Sequence, residues 1–270
     1  MNYICTAMKV SKNFNLIFRL AVIPAVIVFI TYLIIKVPSF YKNIFPHQEK
    51  AAPKVGSFGI IIPNGYSVHG IDVSKHQGNI DWKRVSLMEK NGIRIVFVFL
   101  KATEGITRED NKFSYNWKYS GENGLIRGAY HFYYPSRDAE KQADNFIEMV
   151  KLGKGDLPPV VDIELSNGKS AKKICKGLKL YLQKIEKHYS VKPIIYTNIH
   201  FYNTYLKGSF DDYPLWIAGY FDHDRFYKEF ETPWVLWQHS EKGMVDGIKG
   251  SVDFNVFNGS VSKFNELVIK

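Results

Sequence analysis

The sequence predicts an α/β fold, a barrel of eight strands preceded by a single transmembrane helix. Two observations predict the barrel. Between residues 68 and 197, short β-branched and aromatic runs alternate with helical segments, as in parallel strands joined by helical crossovers. After residue 197, three further apolar runs follow without long helices between them. Five strands and three strands make eight, which is enough to close a small barrel.

The transmembrane helix is predicted from an apolar run near the N-terminus. Residues 20–35 are apolar apart from two positions, and with the residues before them they reach the roughly 20 residues that span a bilayer. Three basic residues precede the run, which favours a cytoplasmic N-terminus, and no small-residue cleavage site follows it. We therefore expect residues 1–37 to form a cytoplasmic stub and an uncleaved anchor. The rest of this single-pass membrane protein would lie outside the cytoplasm, and cleavage would instead make it secreted.

Residues 38–66 predict a tether between the membrane and the barrel. This segment contains four prolines and no sustained apolar periodicity. We place the barrel domain at residues 67–270.

The first part of the domain is predicted to hold five strands and four helices. The run at residues 93–100 is apolar almost throughout, which is typical of a parallel strand buried on both faces. Asp81 is a plausible N-cap for the first helix, and Asn91 and Gly92 would end it. The five strands are predicted at residues 68–74, 93–100, 126–133, 157–165 and 193–197. The four helices are predicted at residues 81–90, 112–123, 138–150 and 171–188.

The last part of the domain predicts three short strands, at residues 215–220, 234–239 and 252–256. No long helical segment separates them, so this part of the barrel is expected to be strand-rich.

The charge and the cysteines exclude several functions. The net charge is +10, and half of it falls in residues 1–50, which hold six basic residues and one acid. The mild basic excess of the remaining residues does not indicate a nucleic-acid-binding protein, although it would suit a polyanionic substrate. The two cysteines and eight histidines show no metal-ligand spacing, and there is no P-loop or GxGxxG motif. We expect neither a metal nor a cofactor.

Four acidic residues predict an active site. Asp72, Asp162 and Glu164 lie at or near the carboxyl ends of predicted strands, and Asp253 lies nearer the start of the last strand. Two carboxylates on one strand face repel, which raises one pKa and gives a proton donor beside a charged partner. The alternative is a pair of acids bound to nearby lysines. Barrel enzymes place their chemistry at the carboxyl rim, so acids from three separate strands favour catalysis there.

A series of short motifs runs in order along the domain, from about residue 68 to residue 258. They are Gly70-Ile-Asp-Val-Ser, Gln77-Gly-Asn-Ile-Asp-Trp82, Lys101-Ala-Thr-Glu-Gly, Gly128-Ala-Tyr-His-Phe-Tyr, Val161-Asp-Ile-Glu, Pro214-Leu-Trp-Ile-Ala-Gly-Tyr, Trp237-Gln and Val252-Asp-Phe-Asn. Each motif alone is weak. In this order they resemble glycoside hydrolase family 25, the Chalaropsis-type lysozymes.

The resemblance implies a TIM-like (β/α)5β3 barrel and an N-acetylmuramidase. Such an enzyme cleaves the β-1,4 bond between N-acetylmuramic acid and N-acetylglucosamine in peptidoglycan glycan strands. It also implies that Glu164 is the proton donor, that Asp162 is its partner acid, and that Asp72 and Asp253 are the other acids of the cleft. The predicted anchor and the lack of wall-binding repeats depart from the family. We expect a monomer.

Further residues are candidates for contacts with the sugars. Glu104 and Gln238 are candidate polar contacts, although Glu104 could instead be a structural acid paired with Lys101. Six aromatic residues are candidate platforms for sugar rings, and each has an alternative role in the core. They are Tyr130, Phe132, Tyr196, Trp216, Tyr220 and Trp237.

Two other functions compete with the muramidase. The first is a non-catalytic peptidoglycan-binding module on a membrane stalk, which would be expected to lack one of the acids. The second is a barrel glycosidase for another N-acetylated glycan, because substrate choice depends on loops.

Overall fold

The computed structural model describes residues 56–270. Eight of its strands form a closed barrel, in which the last strand pairs with the first. They are rich in β-branched and aromatic residues, which favour strands. The strands are β1 (His69–Val73), β2 (Ile93–Glu104), β3 (Ile126–Phe132), β4 (Val160–Asp162), β5 (Ile194–Asn198), β6 (Leu215–Ala218), β7 (Leu236–Gly243) and β8 (Val252–Phe257). Two-residue strands at Glu89–Lys90 and Arg108–Glu109 pair with β2 outside this ring.

The first seven strands of this ring are parallel, and the eighth is antiparallel to both of its neighbours. Each of β1 to β6 pairs in parallel with the next strand along the chain. Strand β8 pairs with β7 and with β1, which closes the barrel. Because β8 runs the opposite way, its first residues lie at the rim where the parallel strands have their carboxyl ends.

Helices lie between most of the strands. Aspartates cap three of them, since Asp81, Asp138 and Asp222 accept hydrogen bonds from the backbone N–H three residues on. The helices are α1 (Trp82–Leu87), α2 (Phe113–Glu122), α3 (Ala139–Met149), α4 (Ala171–Tyr189), α5 (Ile199–Phe201), α6 (His223–Glu229) and α7 (Val261–Leu267). A π-helical turn at Tyr202–Leu206 continues α5, and 3-10 turns occupy Ser57–Gly59 and Lys75–Gln77.

The core has two layers because strand side chains alternate between the two faces of the barrel wall. The outer layer lies between the strands and the helices, and it includes residues such as Val98 and Leu178. The inner layer fills the barrel, and it includes Phe97 and Phe99. Glycine at position 128 makes room for this layer, because a Cβ there would overlap the ring of Phe99.

The predicted fold class, a (β/α)5β3 barrel preceded by a transmembrane helix, is wrong. Helix α6 joins β6 to β7, and these two strands are parallel, so the strand–helix alternation continues past the fifth strand. The sequence does not reveal α6 because Phe226 is its one buried residue, too little for an apolar periodicity. The predicted membrane helix falls on residues 1–37, outside the described residues. Within residues 56–270, no helix is both long and apolar enough to cross a membrane.

The end of the predicted tether packs on the barrel. Phe58 is buried with its ring centroid 4.9 Å from that of Phe254, and its carbonyl oxygen accepts a hydrogen bond of 2.8 Å from Met244 N. Ile62 is buried as well. The remainder of the tether, before residue 56, lies outside the described part of the chain.

Candidate active site

The barrel brings the four acids to one rim. Asp72 lies in β1, and Asp162 is the last residue of β4. Glu164 follows two residues after β4, so the strand is shorter than predicted and ends before the second acid. Asp253 lies at the start of the antiparallel β8, directly opposite Asp72 in the β1–β8 pairing. Directly paired residues have Cβ atoms about 5 Å apart, which explains why these two carboxyls interact.

Asp72 is buried and held by two amide groups. Its Oδ2 atom accepts hydrogen bonds from Gln238 Nε2 at 2.9 Å and from Asn255 Nδ2 at 2.7 Å. Burial raises the pKa of Asp72 to about 6, although these hydrogen bonds act to lower it. Trp216 Nε1 donates to Asn255 Oδ1 at 2.8 Å, which fixes the orientation of that amide.

Asp253 keeps a proton at neutral pH. Burial raises its pKa to about 9, with further contributions from the charge of Asp72 and from a hydrogen bond to it. Asp72 in turn is stabilised in its charged form by that hydrogen bond. The two carboxyls therefore share one proton and carry one negative charge between them near pH 7.

Asp162 and Glu164 form a second pair of acids. Burial raises the pKa of Asp162 well above its usual range, the charge of Glu164 raises it further, and the charge of Lys101 acts to lower it. Burial also raises the pKa of Glu164, while hydrogen bonds from Asn198 and Asp162 lower it. This pair therefore retains a proton at a pH at which isolated carboxyls are ionised. Oδ1 of Asp162 is buried and has no hydrogen-bond partner among the described residues.

Two tyrosines and a glutamine connect the acids to the mouth of the barrel. The hydroxyls of Tyr196 and Tyr220 each donate to Gln238 Oε1 at 2.8 Å, and the other end of that amide holds Asp72. Tyr220 is 49% exposed, so its ring faces solvent at the mouth. Burial raises the pKa of Tyr130, and the charges of Asp72 and other acids raise it further, which places this phenol among the carboxyls.

Two of the predicted aromatic platforms lie away from the acids or beneath them, and a third lies beside Asp162. Trp216 is buried in the barrel interior, stacked on Phe99 with ring centroids 4.6 Å apart. Trp237 is fully buried in the outer layer, where it stacks on Phe226 of α6 at 4.1 Å, and the structure does not bring it to the acids. Phe132 lies at the end of β3, directly paired with Asp162 of β4, and the Lys101 ammonium is 4.8 Å from its ring centroid.

Glu104 is ion-paired beside the acid cluster. It accepts hydrogen bonds from Lys101 Nζ at 2.8 Å, from Arg108 Nη1 at 2.9 Å and from the Tyr134 hydroxyl at 2.8 Å. Burial alone would raise the pKa of Glu104, but these hydrogen bonds outweigh it and lower the pKa to about 2. These contacts favour the alternative role of Glu104, a structural acid paired with Lys101, and they add Arg108 as a second partner.

Sequence reasoning missed three polar residues of the site. Asn255 donates a hydrogen bond to Asp72, and Asn198 forms a hydrogen bond with Glu164. The charge of Lys101 acts to lower the pKa of Asp162. The signal for Asn255 was present, because it lies two residues after Asp253 on a strand and so shares its face. In the region covered by residues 56–270, no group of His, Cys, Asp and Glu side chains is arranged to hold a metal ion.

Comparison with known proteins agrees with this geometry. The model of the family described as glycosyl hydrolases family 25 matches residues 71–248. YegX of Escherichia coli K12 is 48% identical over 218 residues, 79% of this chain and 78% of that protein. Lysozyme M1 of Streptomyces globisporus is 34% identical over 213 residues, 73% of this chain and 69% of that protein. A family 25 glycosyl hydrolase from Bacillus anthracis superimposes with a TM-score of 0.67 and 31% identity, over 76% of this chain and 94% of that one.

The family match covers more than half of the chain, and it includes Asp72, Asp162 and Glu164. A relative above 30% identity carries the name lysozyme and matches 73% of the chain. The chain therefore belongs to glycosyl hydrolases family 25 and is a glycoside hydrolase of the lysozyme type.

Proposed function

We propose that this peptidoglycan hydrolase cleaves the β-1,4 bond between N-acetylmuramic acid and N-acetylglucosamine, with Glu164 as the proton donor. The observation that carries the proposal is the pair formed by Asp162 and Glu164, which retains a proton at the mouth of the barrel. Hydrolysis of a glycosidic bond needs an acid to protonate the leaving oxygen and negative charge near the oxocarbenium-like centre.

Glu164 is the better donor of the pair because it is the more exposed. It is partly accessible, whereas Asp162 is only 6% exposed. In the proposed step Glu164 gives its proton to the glycosidic oxygen as the bond from that oxygen to C1 breaks. The leaving N-acetylglucosamine then carries a free 4-hydroxyl, and Glu164 is left as a carboxylate that can accept a proton from the attacking water.

Asp162 would prepare the acid for this step. The acetamido N–H of the substrate is a suitable donor for the unpartnered Oδ1 atom of Asp162. A hydrogen bond to a carboxyl favours its charged form, so substrate binding would move the shared proton from Asp162 to Glu164. The same contact would direct the acetamido carbonyl oxygen toward C1, as in glycosidases that use their substrate as the nucleophile.

Asp72 and Asp253 would supply the negative charge. The pair carries one charge near pH 7, held in place by the amides of Gln238 and Asn255. A fixed carboxylate in a buried site stabilises a developing positive charge more strongly than it would in water. Peptidoglycan lies outside the cytoplasmic membrane, and we propose that the barrel acts in the cell envelope.

The test is digestion of purified peptidoglycan by the chain and by its Glu164→Gln variant. We expect the unaltered protein to lower the turbidity of the suspension and to release fragments that end in reducing N-acetylmuramic acid. The variant should release none. Fragments that end in reducing N-acetylglucosamine, or equal release by both proteins, would contradict the proposal. Binding without release by the unaltered protein would indicate a non-catalytic module.

A further inference from the structure

A groove of about 520 Å³ opens at the carboxyl rim of the barrel, beside the acids. Three loops line it, and each follows a parallel strand. The loop after β2 contributes Arg108, the loop after β3 contributes Tyr134 and Arg137, and the loop after β4 contributes Asn167. Asn145 of α3 holds the first loop, since its Nδ2 atom donates to the carbonyl oxygen of Gly105 at 2.9 Å. The groove is therefore part of the barrel rim.

The groove has an excess of positive charge. Arg108 and Lys101 share Glu104 as a partner, so one carboxylate faces two cations. Arg137 is exposed and makes no ion pair with any residue that the structure describes. Arg108, Arg137 and Tyr134 all line the groove, and the charges of both arginines act on the Tyr134 hydroxyl.

The groove adjoins the catalytic acids. Lys101 contacts Glu104 in the wall of the groove, and its charge also acts on Asp162. Asn167 follows Glu164 by three residues, a span of at most about 10 Å. In peptidoglycan the peptide is attached to the lactyl group on O3 of N-acetylmuramic acid, the sugar whose bond is cleaved. The groove therefore lies close to the proposed proton donor, and so to the sugar that carries the stem.

We propose that this groove binds the carboxylates of the peptide stem, with Arg137 as its main contact. The inference rests on the proposed function. Guanidinium groups bind carboxylates with two parallel hydrogen bonds, and Arg137 has its side chain free for such a contact. Binding there would make the enzyme prefer glycan strands that carry peptides. The same chemistry would also suit the phosphates of wall polymers, which the experiment separates from the peptide.

The experiment compares Arg137→Ala with Arg94→Ala, an exposed arginine at the start of β2, where the opposite end of the barrel lies and where Arg94 pairs with Glu89. The substrates are peptidoglycan with its peptides, the same material with the peptides removed by an amidase, and material with the stem carboxylates converted to amides. We expect Arg137→Ala to lower kcat/KM about five- to tenfold on the first substrate and to leave it unchanged on the other two. Arg94→Ala should have no effect on any of them.

Binding in the Glu164→Gln background gives a second readout. Cosedimentation with peptidoglycan measures how much of this variant binds, with and without Arg137→Ala. It tests the groove even if the unaltered chain cleaves nothing, a result that would refute the proposed function alone. Equal losses with and without peptides, or no loss in kcat/KM or in binding on peptide-bearing material, would overturn the inference. The inference would also be overturned if the loss caused by Arg137→Ala persists on material without peptides and disappears when wall phosphates are removed with hydrofluoric acid.

Discussion

Asp253→Asn is expected to stabilise the protein increasingly as the pH rises. The pKa of Asp253 in the folded protein is about 9, far above the value of about 3.9 in an unfolded chain. Between these values the folded state binds a proton that the unfolded state lacks. The free energy of unfolding therefore falls as the pH rises through this window, by at most about 1.4 kcal/mol per pH unit for one group. Above pH 9 both states are ionised and the decline stops.

The asparagine variant does not titrate, and its amide N–H can replace the proton donated to Asp72. The free energy of unfolding of the variant should therefore lack the decline with pH that Asp253 causes. For a domain of this size, 1 kcal/mol corresponds to roughly 2–4 °C in Tm. We expect the difference in Tm between the variant and the unaltered protein to grow by at most about 3–6 °C for each pH unit between pH 6 and pH 9.

The assay is thermal unfolding at half-unit intervals of pH, followed by circular dichroism. Asp211→Asn is the control, because Asp211 is an exposed acid in the loop before β6. A difference in Tm that stays constant from pH 6 to pH 9 would refute the reasoning, since it would mean that Asp253 is already ionised in the folded protein. Growth of the same difference in the control would assign the effect to surface charge instead.

Three further predictions follow from the same contacts. Glu164→Gln should lower turnover by several orders of magnitude without lowering the Tm, and near-normal release of muropeptides would contradict the role of Glu164 as the acid. Asn255→Leu removes a hydrogen bond that lowers the pKa of Asp72, so the acidic limb of the pH–rate profile should move to higher pH by about one unit, and an unmoved limb would show that Asp72 does not control it. Trp237→Ala should cost about 3–5 kcal/mol in urea unfolding and leave KM unchanged, because the ring packs on Phe226, and a raised KM would instead place Trp237 at the substrate.

Strand alternation could have sorted some of the site residues from the sequence. Trp237 and Gln238 are neighbours on one strand, so only one of them can face the barrel interior. Gln238 binds Asp72 there, and Trp237 faces the helices. With Gln238 at the cleft, the rule favours the core alternative for Trp237, and it places Asn255 on the same face as Asp253.

Other features required the three-dimensional structure. The sequence places Asp72, Asp162 and Glu164 near strand ends, because each follows a clear apolar run. The depth of Asp253 depends on the direction of β8, which short strands without helices between them do not reveal. The ion pairs of Glu104 with Arg108 and Lys101 depend on how a loop folds back, and the single buried residue of α6 left that helix without a pattern.

The aromatic filling of the barrel limits how the acids exchange protons. Phe97, Phe99 and Trp216 occupy the interior behind Asp72 and are at most 2% exposed, and Asp72 is itself buried. Water that reaches the carboxyls therefore enters from the mouth, the side from which a glycan strand would also enter. A bound strand would then block the access of water to the acids. A proton held by the acids could leave only by transfer to the substrate or after the product departs.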